Sequence, residues 1–244
     1  MPSGALAAID LDDPEDNLRA FIKLIGSLDG RPVYDIVRGS VYALVPGRPA
    51  QPLFRTVGAG VATYTRQSAL EFRAVTRYLG FFLDWESGEP LATWQNPLNA
   101  RECSVPVTRY GPSQMRVLGD RMRALDTSGS TGGTRPWYRL GNIVHMHREV
   151  LQEDVPHPLF PKADLMTYSG DGRLLADPDV KRMPSRLSFS AVESWREWMQ
   201  MDPAVFPGTT WWHVAGAKLD AAASYPRELR ALIEREDPGF FGPA

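Results

Sequence analysis

RPVYDIVRGSVYALVPG, Arg31 to Gly47, is the stretch on which the fold turns. Val, Ile and Tyr fill Val33–Leu44, a composition that fits a pleated, half-buried strand, and Pro46-Gly47 ends it as a turn. Similar runs follow at short intervals. Leu53–Val57 comes after Pro52, Val61–Thr65 is rich in Thr and Tyr, and Glu71–Leu83 alternates charged with apolar residues. Gly58-Ala59-Gly60, Glu86-Ser87-Gly88-Glu89 and Asn96-Pro97 read as further turns. Nothing between these runs is long enough to hold the crossover helices that a parallel sheet requires. The expectation is a mainly β (β-rich α+β) chain whose antiparallel meander, about residues 31–118, closes into a calycin-like barrel.

Short helices are expected at both ends of that sheet. Asp13-Pro14-Glu15-Asp16 has the form of a helix start, and Leu18, Phe21, Ile22 and Ile25 then share one face, giving a helix over about 14–25. Tyr225-Pro226-Arg227-Glu228 opens a last helix that runs to about Glu236. Asp126–Pro136 is a Gly/Ser/Thr tract that lacks the Lys of a phosphate-binding loop, and it reads as a flexible loop. Strands resume at Trp137–Leu140 and Ile143–Leu151. A Pro-rich connection with a turn at Tyr168–Gly172 covers Pro156–Pro184, and Leu187–Ser190 and Thr209–Val214 complete the sheet, all within one domain over 1–244.

Composition narrows the function classes. The net charge is −2 with acids and bases interspersed, so there is neither a basic stripe for nucleic acid nor a polybasic membrane patch. No apolar run approaches the ~18 residues of a membrane helix. The single cysteine, Cys103, has no internal partner, and with no leader-like start the chain reads as cytoplasmic, with Cys103 buried and inert. Gly-x-Ser-x-Gly, Gly-x-Gly-x-x-Gly and Cys-x-x-Cys are absent from the sequence, which argues against a serine hydrolase, nicotinamide or flavin, and structural zinc.

Several short blocks together resemble an uncharacterised family, the domain-of-unknown-function family 1838. They begin with Leu28-Asp29-Gly30-Arg31-Pro32-Val33-Tyr34, Arg38-Gly39-Ser40-Val41-Tyr42 and Pro52-Leu53-Phe54. Gly80-Phe81-Phe82-Leu83-Asp84, Gly88-Glu89 and Trp94-Gln95-Asn96-Pro97 continue the series, and Ser194-Trp195, Trp198-Met199-Gln200-Met201 and Gly216-Ala217-Lys218-Leu219 close it. The resemblance implies one domain and carries no activity. Between Tyr34 and Arg38 the family favours aromatic residues, whereas this chain has Asp35-Ile36-Val37, a carboxylate where a ring is expected.

Three constellations could carry chemistry. His145 and His147 are two apart in a strand and so share a face, a spacing open to a metal pair completed by His213, Glu149 or Glu102, to acid–base use, or to simple hydrogen bonding. Tyr34, Arg38 and Tyr42 share a strand face, two phenols and a guanidinium suited to an oxyanion, with Asp35 pointing the other way; sheet packing is the alternative. Trp195, Trp198, Trp211 and Trp212 concentrate four of the seven tryptophans just ahead of His213. They form either a flat ligand wall with Phe54, Phe82, Trp94 and His145, or the plug of one barrel end. Lys218 could form an imine, though a lysine at a strand end is ordinarily solvated.

The favoured reading is an enzyme without organic cofactor, of lyase, isomerase, dehydratase or decarboxylase type, acting by proton transfer on a hydrophobic cyclic or aromatic small molecule. His147 or His213 would be the base, and Tyr34, Arg38 and Tyr42 the oxyanion partners. Two alternatives stand beside it: a lipocalin-type carrier or sensor, and a metal-dependent enzyme built on His145 and His147. The aromatic surplus would also fit a homodimer interface.

Overall fold

The computed structural model describes residues 9–118, 121–124, 130–132, 136–152 and 162–242. Thirteen strands are formed among them: β1 (Val33–Leu44), β2 (Gln51–Ser68), β3 (Glu71–Leu83), β4 (Thr93–Gln95), β5 (Glu102–Ser104), β6 (Thr108–Leu118), β7 (Arg121–Ala124), β8 (Ser130–Gly132), β9 (Trp137–Leu140), β10 (Ile143–Gln152), β11 (Lys162–Asp171), β12 (Arg186–Glu193) and β13 (Thr209–Leu219). The helices are α1 (Pro14–Ile25), α2 (Gly172–Ala176) and α3 (Arg227–Glu236). β4 and β5 form a separate hairpin, and the other eleven strands make one antiparallel sheet in the order β8-β7-β6-β3-β2-β1-β13-β12-β11-β10-β9. The first and last strands, β1 and β13, pair along their lengths. No ladder joins β8 to β9 among the described residues, so the expected barrel is, in its hydrogen bonds, an open sheet.

Two turn readings are corrected. Gly58-Ala59-Gly60 lies inside the 18-residue β2, paired on both sides. Its glycines mark places where side chains of neighbouring strands cross the backbone, which in sequence looks the same as a turn. Within Pro156–Pro184, residues 162–171 form β11 and 172–176 form α2, so the expected Tyr168–Gly172 turn is a strand end running into a helix; residues 153–161 lie outside the described residues. Of the expected loop 126–136, residues 130–132 form β8, and 126–129 and 133–135 also lie outside the described residues.

The inner face of the sheet is layered. Along β1, Val33 belongs to a cluster around α1, Asp35 and Val37 follow, and Val41 enters an aromatic cluster. β3 repeats the order with Phe72 and Ala74, then Tyr78 and Gly80, then Phe82. α1 starts where the sequence says, with the Asp13 carboxylate accepting from the amides of Glu15 and Asp16 and Pro14 at the first helical position. Leu18, Ala20, Phe21, Ile22 and Leu24 are fully buried, so α1 plugs one end of the curved sheet. The outer face of β2 and β3 (Val57, Ala59, Val61, Leu79, Phe81) is covered by Leu229 and Ile233 of α3.

The C-terminal end of α1 is held by a partly buried lysine. Nζ of Lys218 donates to the carbonyls of Lys23, Leu24 and Gly26 at 2.7, 3.1 and 2.9 Å. These are the carbonyls a helix end leaves without partners, and the positive charge complements the negative end of the helix dipole. Burial, with Arg182 nearby, pushes Lys218 down to about 7. Three acceptors match the three donors of its ammonium form.

Candidate functional site

Between the α1 layer and the aromatic layer lies a chamber of about 350 Å³, a size suited to a small organic ligand. Its walls come from both halves of the strand order, β6 and β3 on one side and β11 and β12 on the other, so the sheet curves strongly around it. The lining is mostly apolar or aromatic, with Val37, Phe82, Met166, Phe189, Trp212 and Val214 among its residues. Tyr110, 52% exposed, marks where the chamber meets solvent.

Asp35 faces this chamber from β1. Among the described residues no donor reaches its carboxylate, while its backbone carbonyl accepts from the Tyr225 hydroxyl at 2.9 Å. Burial raises the Asp35 carboxyl from its ordinary value to about 6. Room for it is made by Gly60, where a β-carbon would come within 3.0 Å of both carboxylate oxygens. Tyr78 lies over Gly58 and Gly80 in the same way, its hydroxyl directed to the space above Gly58. Burial first, and the charge of Asp35 second, raise the Tyr78 phenol above its ordinary value. The same two influences raise Tyr168, which lines the chamber beside the α1 layer, where Arg148 opposes them. At the other end, Arg196 pairs with Glu193 at 2.6 Å and lies over the Trp212 ring at 5.1 Å.

Gly58→Ala should therefore destabilise the protein by about 2 kcal/mol, since a methyl there drives into a packed ring. The cost should shrink when Tyr78→Ala is present. Urea unfolding of both single variants and the double variant measures this, and an equal cost in both backgrounds would refute the packing.

The residues expected to act from the sequence divide between the two faces of the sheet. Tyr34, Arg38 and Tyr42 do share a face, as strand parity requires, but it is the outer one. Tyr34 packs on Tyr225 and Phe241, Arg38 is exposed, and Tyr42 lies between Trp85 and Trp211. Asp35, which alternation turns the other way, is the residue in the chamber. His145 and His147 also share a face, again the outer one, with Tyr138 stacked on His145 at 4.6 Å and edge-on to His147 at 4.9 Å. Nδ1 of His145 is 2.9 Å from the Ser169 hydroxyl. His213 is exposed on the outer face beside Trp211. Neither His147 nor His213 is positioned to act as a base on a molecule in the chamber. Among the described residues no group of three His, Cys, Asp or Glu side chains comes together as a metal site.

Phe54, Phe82, Trp94, Trp195 and Trp198 gather into one aromatic cluster with Trp212. Phe54 is its hub, 4.8 Å from Phe82, 5.5 Å from Trp94 and 5.7 Å from Trp198. Of the expected wall, Phe82 lines the chamber, whereas Trp211 faces outward and donates its indole N–H to the Ser190 hydroxyl. Trp195 donates to the Phe206 carbonyl. Cys103 is fully buried in the same cluster, its thiol raised by burial. Trp212, one of the four clustered tryptophans, lines the chamber with Phe82, and Tyr78, Tyr168, Glu193 and Arg196 line it without standing out in the sequence as site residues. Gly58 and Gly60, glycines at alternate positions of a strand-like run, signal that side chains cross the backbone there without telling which ones.

Fold and chamber together define a mainly β protein with a ligand-sized space inside one curved antiparallel sheet. The chain belongs to the DUF1838 family of proteins of unknown function, which matches residues 30–243. No curated protein and no solved structure matches it. No helix among the described residues is long and apolar enough to cross a membrane.

Proposed function

We propose that the chain is an enzyme without organic cofactor that moves a proton on a cyclic or aromatic small molecule held in the chamber. One observation carries this reading: Asp35, whose carboxylate has no partner among the described residues, faces a largely apolar space beside the Tyr78 hydroxyl. Burial brings Asp35 near the operating pH, where a carboxylate works both as acceptor and as donor of a proton. Asp35 takes a proton from a ring-adjacent carbon. The electron pair left behind moves into a conjugated acceptor atom held against the Tyr78 hydroxyl, and Asp35 returns the proton at a second position, giving an isomer. Protonation of a leaving group instead gives the lyase or dehydratase outcome. The chemistry is the one expected from residue types, moved from the histidines to the opposite face of the sheet.

We read the sheet itself as a calycin-like barrel in function. The β1–β13 pairing and the approach of β8 to β10 within 8 Å support a wall that runs on past the unpaired seam.

Isotope exchange tests the reading whatever the product turns out to be. A panel of cyclic and aromatic compounds is incubated with the protein in D2O, and deuterium entering C–H positions is read by mass spectrometry. Catalysed exchange of one compound class is expected, about 100-fold slower with Tyr78→Phe, in line with the loss of one hydrogen-bond donor to developing charge. Compounds that bind and return unlabelled would replace this reading with a carrier.

A further inference from the structure

We infer that the molecule bound in the chamber is a cation, a ring compound carrying a protonated or quaternary nitrogen that rests against Asp35. This rests on the chamber being the working site, as proposed above, and adds the charge of the substrate. Three acidic residues, Asp35, Asp164 and Glu193, line the chamber against one basic residue, Arg196. That guanidinium is already engaged by Glu193 and by the Trp212 face. Glu193 is engaged by the same pairing, and Asp164 and Arg148 each have an interaction of their own, which leaves Asp35 as the acid that faces the chamber without a partner among the described residues. Asp35 has no counter-ion among the described residues, and an ionised carboxylate in apolar surroundings is costly until one arrives.

The rings around it suit the same visitor. Tyr78, Phe82, Tyr168, Phe189 and Trp212 all line the chamber, and aromatic faces attract an organic cation, more strongly when it is stripped of water. A neutral ring would leave the Asp35 carboxylate unmatched, and an anion would meet that carboxylate.

Three bicyclic probes of nearly equal shape test the inference by titration calorimetry: 1-methylquinolinium, 1-methylnaphthalene and 1-naphthoate. The quinolinium is expected to bind at least ten-fold more tightly than the neutral ring, with naphthoate weakest. Asp35→Asn should bring the quinolinium down to the level of methylnaphthalene and leave methylnaphthalene where it was. Tightest binding of naphthoate, equal binding of all three, or a cation preference that survives Asp35→Asn would overturn the inference. If methylnaphthalene binds without any cation preference, the charge assignment fails and the chamber keeps its role. If none of the three binds, the chamber as ligand site fails with it.

Discussion

At pH 8, Asp35→Asn is expected to be more stable than the unaltered protein by about 3 kcal/mol, while losing proton-transfer activity. The sign follows from burial. The carboxyl titrates at about 6 in the folded chain and near the ordinary 3.8 when unfolded, so the folded state holds the proton more tightly. The contribution of Asp35 is therefore most favourable below pH 3.8 and is lost as pH rises towards and through about 6. Above that, the folded protein carries an unmatched buried charge that asparagine removes. Urea unfolding of both proteins at pH 4 and pH 8 checks it: the gap should be present at pH 8 and close at pH 4. An asparagine variant no more stable at pH 8 would mean that Asp35 is matched after all. A gain in stability coupled to a loss of activity is what a group kept for chemistry, and not for folding, should display.

The second large effect is expected at Lys218. Lys218→Met keeps the length and apolar stem and deletes the three donors that hold the carbonyls of Lys23, Leu24 and Gly26. Stranding buried acceptors costs more than a hydrogen bond gains, and a loss of roughly 3 kcal/mol is expected. The loss should be accompanied by faster proteolytic cleavage around residues 26–30, where α1 would come away. A variant with stability close to the parent's and unchanged cleavage would show that apolar packing alone holds α1. Lys218 is thus a helix-capping residue in this fold, with its donors directed to backbone and not to a carbonyl substrate.

Much of the fold can be read from residue order because local chemistry and tertiary packing agree. β1 and β3 fall on Val33–Leu44 and Glu71–Leu83 as expected, and α1 begins at its Asp13-Pro14 signal. β11 is hidden because Lys162–Asp171 sits among prolines and ends in Ser-Gly-Asp-Gly, a composition that local propensity assigns to loops. For the site, parity is legible and direction is not. Tyr34 and Ile36 are apolar enough to look like a core face, and they do pack, but against the α3 cluster outside the sheet. With apolar residues on both faces of β1, nothing local says which face encloses the chamber. His145 and His147 share one face, as their spacing requires, and the sequence of β10 does not reveal that Val144 and Met146 hold the inner one. Tyr78 is visible only once Gly58 and Gly80 are seen as neighbours in paired strands, a long-range fact.

The helix that plugs the sheet, residues 14–25, lies ahead of the family match, which begins at residue 30. Walls and stopper thus come from separate stretches of the chain. A relative could keep every strand around Asp35 and still accept a longer or shorter guest by changing only the segment that fills this end. Among such relatives, substrate length should follow the N-terminal segment, and substrate charge should follow whichever residue stands at the position of Asp35.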